Sequence, residues 1–270
     1  MTVSTGDAIT RLARAPVVRL QPLQGGDLSS VFRATLADDR TLIAKSGPEA
    51  QAEAAMLRAI HATGCPCPTV VADAPGLLLM TELPDGGIPS PQAWAACGAA
   101  LARLHAAQGD SYGWPADHAF GPVPIYNQPM ADWPSFWAER RLLADVDTLP
   151  PDLARRLETL AARLPDLLPA APPAALLHGD LWSGNVLWGP NGFAGVIDPA
   201  CYHGHAEVDL AMLALFGRIG DSFFDGYGAP DPGMRKRRPL YQLWPALVHL
   251  RLFGSGYAGL VDRLLSEAGA

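Results

Sequence analysis

No run in this 270-residue chain approaches the roughly 18 to 20 consecutive apolar residues that spanning a bilayer requires. The N-terminus, MTVSTGDAITRLARAP, lacks a charged start followed by an apolar block, so no signal peptide is expected. C-x-x-C spacing is absent as well. Of the four cysteines, Cys65 and Cys67 share CPCP, while Cys97 and Cys201 stand alone. That pattern excludes a disulfide framework and reads as a reduced, cytoplasmic protein with ordinary buried thiols; a redox role for Cys65 and Cys67 stays open. Surplus positive charge is also missing. A net charge of −7 argues against a nucleic-acid surface. The one local exception, Arg235-Lys236-Arg237-Arg238, reads as a solvated helix face. No internal repeat is visible. What is present is 49% hydrophobic and 17% charged residues, enough for one large domain or two lobes flanking a cleft.

Organisation changes along the chain. After a helix over 7–15, period-two alternation predicts strands at 18–23, 31–36 and 41–45. Pro48 stands where a helix could open, apolar residues follow at helical spacing, and Gly64 would stop it. Two more strand-like runs, 69–72 and 77–82, precede the breaker LPDGGIPSP, the expected junction. From Gln92 the pattern is helical, interrupted by NVLWGPNGFAGVID, whose Gly-Pro-Asn-Gly turn predicts a hairpin. The expected fold is therefore α+β and two-lobed. Residues 1–83 would form a β-rich lobe with one main helix, and residues 84–270 a mostly helical lobe containing the hairpin.

Four features carry chemistry on that frame. Gly25-Gly26 with Ser29-Ser30 lies between two strands, where backbone N–H groups could approach phosphates. Lys45 ends a strand and Glu53 follows eight residues on in a helix, as a phosphate-reaching ammonium and its carboxylate partner would. In HGDLWSGNVLW, Asp180 and Asn185 show the D-x-x-x-x-N spacing of a phosphotransfer loop, in which an Asp addresses the acceptor hydroxyl and an Asn holds magnesium. Asp198 closes the hairpin thirteen residues after Asn185, so the two could share one Mg2+ beneath ATP. His178 would brace the loop. D-F-G and A-P-E are absent, and about ten residues separate Asp198 from Asp209. A switchable activation segment has no room there.

These residues resemble the fructosamine/ketosamine 3-kinases, relatives of the aminoglycoside phosphotransferases and choline kinases. The likeness runs through LARLH, DWPSFWAERRLL, LLHGDLWSGNVLW, VIDPACYHGHAEVDLAMLALFG and YQLWPALVHLRLFGSGY, nearly the whole chain. The resemblance implies a protein-kinase-like fold and transfer of the ATP γ-phosphoryl group to the 3-hydroxyl of a ketoamine, a deglycation step. By position, Asp180 is the catalytic Asp, Asn185 and Asp198 hold the metal, and Lys45 with Glu53 anchor phosphate. Thr81, Glu82 and Leu83 form the adenine hinge beside Met80. Trp182, His205 and Asn127 border the sugar, and Asp209 supports the loop with His178. The implied partners are ATP and a free or protein-attached ketosamine, with no nucleic acid and no membrane, for a monomer or weak homodimer.

Departures bear on the acceptor. Ile125 stands two before Asn127 where the family usually has Gln, His203 where a second Tyr is frequent, and Thr81 where the hinge commonly starts with an acid. The alternatives are an aminoglycoside or choline-like acceptor, a zinc hydrolase using His178, Asp180, His203 and His205, and a non-catalytic nucleotide binder. Sugar length, free or protein-bound acceptor and oligomeric state stay open.

Overall fold

Helix α1 (Thr5–Ala13) begins where the Ser4 hydroxyl accepts from the Asp7 N–H and ends at Arg14, whose φ of 55° leaves the helical region. The structure, a computed structural model, describes residues 4–23 and 30–270, so the expected loop residues Gly25, Gly26 and Ser29 lie outside the described residues. Strands β1 (Val17–Leu23), β2 (Ser30–Leu36) and β3 (Thr41–Ser46) are followed by helix α2 (Ala50–Ala62), β4 (Val70–Ala74) and β5 (Leu77–Thr81). The five strands form one antiparallel sheet in the order β1-β2-β3-β5-β4. Helix α2 opens at Ala50 with Glu49 as its N-cap, two residues beyond Pro48, and Gly64 at φ 76° follows its last turn.

The register of this sheet decides where Lys45 goes. Leu42 and Ala44 of β3 pack with Leu77 and Leu79 of β5 in the core that contains Ile9 of α1. Ile43, Leu78 and Met80 face the opposite way, into the core that contains α2. Both faces are covered, which is why β5 reads as an unbroken apolar run rather than an alternation. Lys45 is two residues beyond Ile43 and therefore shares the α2 face, where Glu53 waits.

Helix α3 (Pro91–Ala106) starts at Ser90, whose hydroxyl accepts from the Ala93 N–H. A short hairpin, β6 (His118–Phe120) with β7 (Val123–Ile125), comes next; nothing in the sequence reading anticipated it. Helix α4 (Trp133–Trp137) runs on as a π-helix through Ala138–Leu142, and α5 (Pro151–Ala161) and α6 (Leu164–Leu167) follow. Strand β8 (Ala175–Leu177) leads into the Asp180 loop, then the hairpin of β9 (Val186–Gly189) and β10 (Gly192–Val196). Strand β11 (Tyr202–Gly204) returns to pair with β8. Helices α7 (Glu207–Leu213), α8 (Phe223–Tyr227), α9 (Met234–Phe253) and α10 (Ala258–Glu267) complete the chain. Among the described residues, no helix is long and apolar enough to cross a membrane.

The π-helical stretch carries Arg141, which is fully buried. Its guanidinium lies 4.1 Å from the centroid of the Tyr202 ring and donates to the Tyr126 carbonyl at 2.6 Å and to Asn127 Oδ1 at 2.8 Å. Carbonyls and aromatic faces replace the water that this cation gives up.

The two parts of the chain share a core. Cys65, Cys67, Cys97 and Cys201 are all free and buried in it, beside Met56 of α2 and Leu181 of the loop. Burial pushes the Cys65 thiol up to about 12 and the Cys67 thiol up to about 11. Buried in this way, they pack as small apolar side chains. The Val196 N–H donates to the Pro66 carbonyl at 3.0 Å, stitching β10 to the segment after α2.

Candidate active site

Pairing of β8 with β11 folds the segment 178–201 back on itself, so that the Ala200 N–H donates to the His178 carbonyl at 2.9 Å. Gly179 lies between, at φ 80°, and a side chain there would drive into the Ala200 carbonyl. Glycine is required on both counts. Asp198, at φ 54°, is a non-glycine residue held in the left-handed region, the kind of local strain found at functional sites.

Asp209, fully buried on α7, holds the loop. Its Oδ2 accepts from the His178 N–H at 2.7 Å and its Oδ1 from the Gly179 N–H at 3.0 Å, while His105 Nε2 lies 3.1 Å from Oδ2. Burial opposes its ionisation, yet the bonds from His105 and the backbone keep the carboxyl below the usual carboxylate range. His178 Nδ1 accepts from the Asp180 N–H at 3.3 Å, so its proton sits on Nε2, which donates to the Ile197 carbonyl at 2.9 Å. Burial lowers the His178 pKa, and the neutral ring suits both bonds. His105 was passed over in the sequence because a helix histidine in LARLH carries no local sign of a buried acidic partner.

Asp180 lines the cleft, and burial pushes its carboxyl up to about 7; the Asn185 amide opposes that shift, and the charge of Asp198 adds to it. Asn185 Nδ2 donates to the Asp180 carbonyl at 2.8 Å and to its Oδ2 at 3.0 Å. Both donor hydrogens are thereby used, and the amide oxygen points elsewhere. Lys45 Nζ lies 2.7 Å from Glu53 Oε2 and 2.9 Å from Asp198 Oδ1. Burial disfavours its charge, but those two carboxylates hold its pKa above the ordinary value, so Lys45 stays an ammonium.

Asn185 and Asp198 both line the cleft, and their amide and carboxylate oxygens are hard donors of the kind that suits a small divalent cation that keeps waters and phosphate oxygens as its other ligands. A zinc site fits poorly. Among the described residues, no three His, Cys, Asp or Glu gather as ligands. His178 Nε2 is spent on Ile197, and His205 Nδ1 lies 2.7 Å from the Tyr241 hydroxyl.

Lys45, Glu53, Asp180, Trp182, Asn185 and Asp198 border a single cleft of about 800 Å3. The Trp182 side of it is open, with that residue 40% exposed and its indole lying across Gly184, where any side chain would strike the ring. The lining also includes His249, Leu252 and Phe253 of α9 and residues of the β6–β7 hairpin. His118 Nδ1 of that hairpin lies 3.0 Å from Glu49 Oε2 at the start of α2. None of these wall residues was singled out from sequence, since a helix pattern does not say which lobe it faces.

Other expected residues lie elsewhere. Asn127 is fully buried, its Oδ1 accepting from Arg141 and its Nδ2 donating to the Ala116 carbonyl at 3.3 Å; it props Arg141 rather than bordering the cleft. His205 faces Tyr241 and Trp133, also outside the cleft lining. Ile125 is in the core, and His203 packs on the Trp114 ring at 5.6 Å, so neither departure touches the cleft. At the junction, Met80 is buried, the Thr81 hydroxyl accepts from the Thr69 N–H at 2.9 Å, and Glu82 is paired with Arg33 of β2. Neither Leu83 nor these three is among the residues that line the cleft, although Asp85 is; Ser30 is exposed at the start of β2.

Burial, reinforced by Arg237, lowers His205 from its ordinary 6.5 to about 4. The unfolded chain therefore binds the extra proton first as pH falls. Stability from this group is complete above pH 6.5 and drains away toward pH 4, a loss of about 3 kcal/mol. Melting temperature followed from pH 7 to pH 4 should fall less steeply in His205→Gln than in the unmutated chain.

The sequence model of the fructosamine kinase family matches residues 10–268. A Lactiplantibacillus plantarum protein described as a ketoamine kinase is 33% identical over 96% of this chain and 98% of its own length. A crystal structure from Thermobifida fusca, assigned as a fructosamine-3-kinase, superposes with a TM-score of 0.90 at 36% identity, covering 98% of both chains. A macrolide 2'-phosphotransferase from Brachybacterium faecium has the same fold, with a TM-score of 0.63 at 17% identity over 97% of this chain and 96% of its own.

Proposed function

The chain belongs to the fructosamine kinase family, and from that premise we propose that it transfers the γ-phosphoryl group of ATP to the 3-hydroxyl of a ketosamine. The observation that carries this reading is the convergence of Asp180, Asn185, Asp198 and the Lys45–Glu53 pair on one cleft. In this assignment residues 1–83 bind the nucleotide and 84–270 supply the catalytic loop and acceptor wall. The Lys45 ammonium, clamped by Glu53, neutralises phosphate oxygens. Backbone groups of Thr81 to Leu83 meet the adenine, with Met80 behind them.

Asn185 Oδ1 and Asp198 would hold Mg2+, which when bound neutralises charge on the phosphates of ATP. Asp180, turned toward the cleft and steadied by Asn185, accepts the proton of the attacking hydroxyl. Trp182 offers an indole face to the less polar side of the sugar. We place the activity in the cytoplasm, where ATP is supplied and thiols stay reduced, and assign it to a single chain, because one chain furnishes every group named.

ATP consumption measured across ketoamines of four-, five- and six-carbon sugars, with aminoglycosides and choline as controls, tests the reading. Turnover with ketoamines, and a phosphate located on the third carbon by NMR, is the expected result. Turnover confined to aminoglycosides or choline would overturn the acceptor assignment while leaving the phosphotransfer intact.

A further inference from the structure

A second cavity, of about 310 Å3, lies among α7, α8 and the start of α9, apart from the catalytic cleft. Its walls are apolar: Leu210, Ala211, Ala214, Ile219, Phe224 and Met234. The polar groups that reach it are of two kinds. Glu207 and Tyr241 are already spent. Arg237 Nε donates to Glu207 Oε2 at 2.8 Å and its Nη2 to Oε1 at 2.5 Å, while the Tyr241 hydroxyl accepts from Trp133 at 3.0 Å and bonds His205. Arg218 and Arg238 are not spent. Arg238 forms no ion pair among the described residues, and Arg218 has only Asp221, 3.2 Å away and solvent-exposed, a pairing worth little.

The result is an apolar chamber with the exposed side chains of Arg218 and Arg238 at its rim. Charge placement makes the arrangement pointed. In a chain of net charge −7, the one cationic run, Arg235 to Arg238, falls in the first turn of a 20-residue helix, where the helix dipole disfavours cations. Of these four, Arg237 alone has a carboxylate partner among the described residues. A purely structural helix start would favour acids there.

We propose that this cavity is a second small-molecule site, and that its ligand is an aromatic carboxylate. The ring enters between Phe224, Met234 and the α7 side chains, where planar apolar surface is buried, and the carboxylate is read by Arg218 and Arg238, whose forked donors suit it. A chamber of this size holds one or two rings, at the small end of ligand sites. The site also adjoins the catalytic loop. Leu210, Ala211 and Ala214 lie on or just after α7, the helix whose Asp209 holds His178 and Gly179. Gly217, also in the lining, sits against Ser183 of the loop, where an added Cβ would come within 3.2 Å of the Ser183 Cβ.

Calorimetric titration of the full chain with 2-naphthoate, with and without saturating magnesium and a non-hydrolysable ATP analogue, tests this. Saturable one-to-one binding is expected, changed by less than about twofold by the nucleotide analogue. Ala214→Phe, which fills the chamber, should weaken it at least about tenfold, and 2-naphthamide should bind at least about fivefold more weakly than the acid. The paired surface change Arg218→Ser with Arg238→Ser, which leaves the core untouched, should also weaken the acid at least about fivefold. Absence of saturable binding, displacement by the nucleotide analogue, or indifference to both the cavity and the arginine variants would each overturn the proposal.

Discussion

Asp180→Ala is expected to lower kcat with a ketoamine by roughly a thousandfold while shifting nucleotide affinity by less than about twofold. The asymmetry follows from placement. Asp180 touches Asn185 and the open cleft, whereas Lys45 is held by Glu53 and Asp198 and needs nothing from Asp180. Asp180→Asn should be nearly as inactive, because an amide keeps the shape but cannot take up the proton. Asp198→Ala should differ in kind, since it removes a partner of Lys45 and a hard oxygen from the cation-binding side; its main effect is weaker engagement of magnesium-ATP. Single-turnover kinetics with separate nucleotide titrations distinguishes the two. Near-normal turnover by Asp180→Ala would sink the assignment of the acceptor proton to that carboxylate.

The second large effect is at Asp209, which touches neither substrate. Its carboxylate accepts the N–H groups of His178 and Gly179 and faces His105, all inside the protein. Asp209→Ala leaves two buried backbone donors and an imidazole without an acceptor, and should cost about 4 kcal/mol of stability. Catalysis should fall with it even at temperatures where the chain stays folded, because His178 and Asp180 lose their fixed backbone. Tyr227→Phe, which removes only the hydroxyl lying 2.8 Å from His105 Nδ1, should cost about 1 kcal/mol. Thermal melts and kcat measured on both variants check the ranking. An Asp209→Ala protein that melts and turns over like the unmutated chain would show that the loop is held some other way.

Much of this site was legible before any coordinates. The spacing from His178 to Asn185, the Gly-Pro-Asn-Gly turn and Asp198 at the far end of the hairpin lie within one short stretch of chain. Such local geometry is set by turn chemistry and strand period, so a sequence carries it almost directly. Lys45 and Glu53 were legible for a related reason: a strand position two residues beyond Ile43 and a helix position one turn from the start settle which face each occupies. The residues that went astray are those whose destination depends on distant packing. Asn127 and His205 look like polar groups free for a sugar, yet one is enlisted by buried Arg141 and the other by Tyr241. Arg141 itself has an ordinary surface-helix sequence context, and the aromatic rings that accept it come from Phe136, Tyr202 and Trp244.

The amino-acid order alone settled that a β-rich segment precedes a helical one and that a phosphotransfer-type loop with its hairpin is present, because those features need only neighbours along the chain. The tertiary structure alone decided which walls enclose the cleft. The β6–β7 hairpin, the end of α9 and the His105 brace reach the site across sequence separations that no local pattern encodes, through burial and hydrogen bonds that exist only once the whole chain has packed.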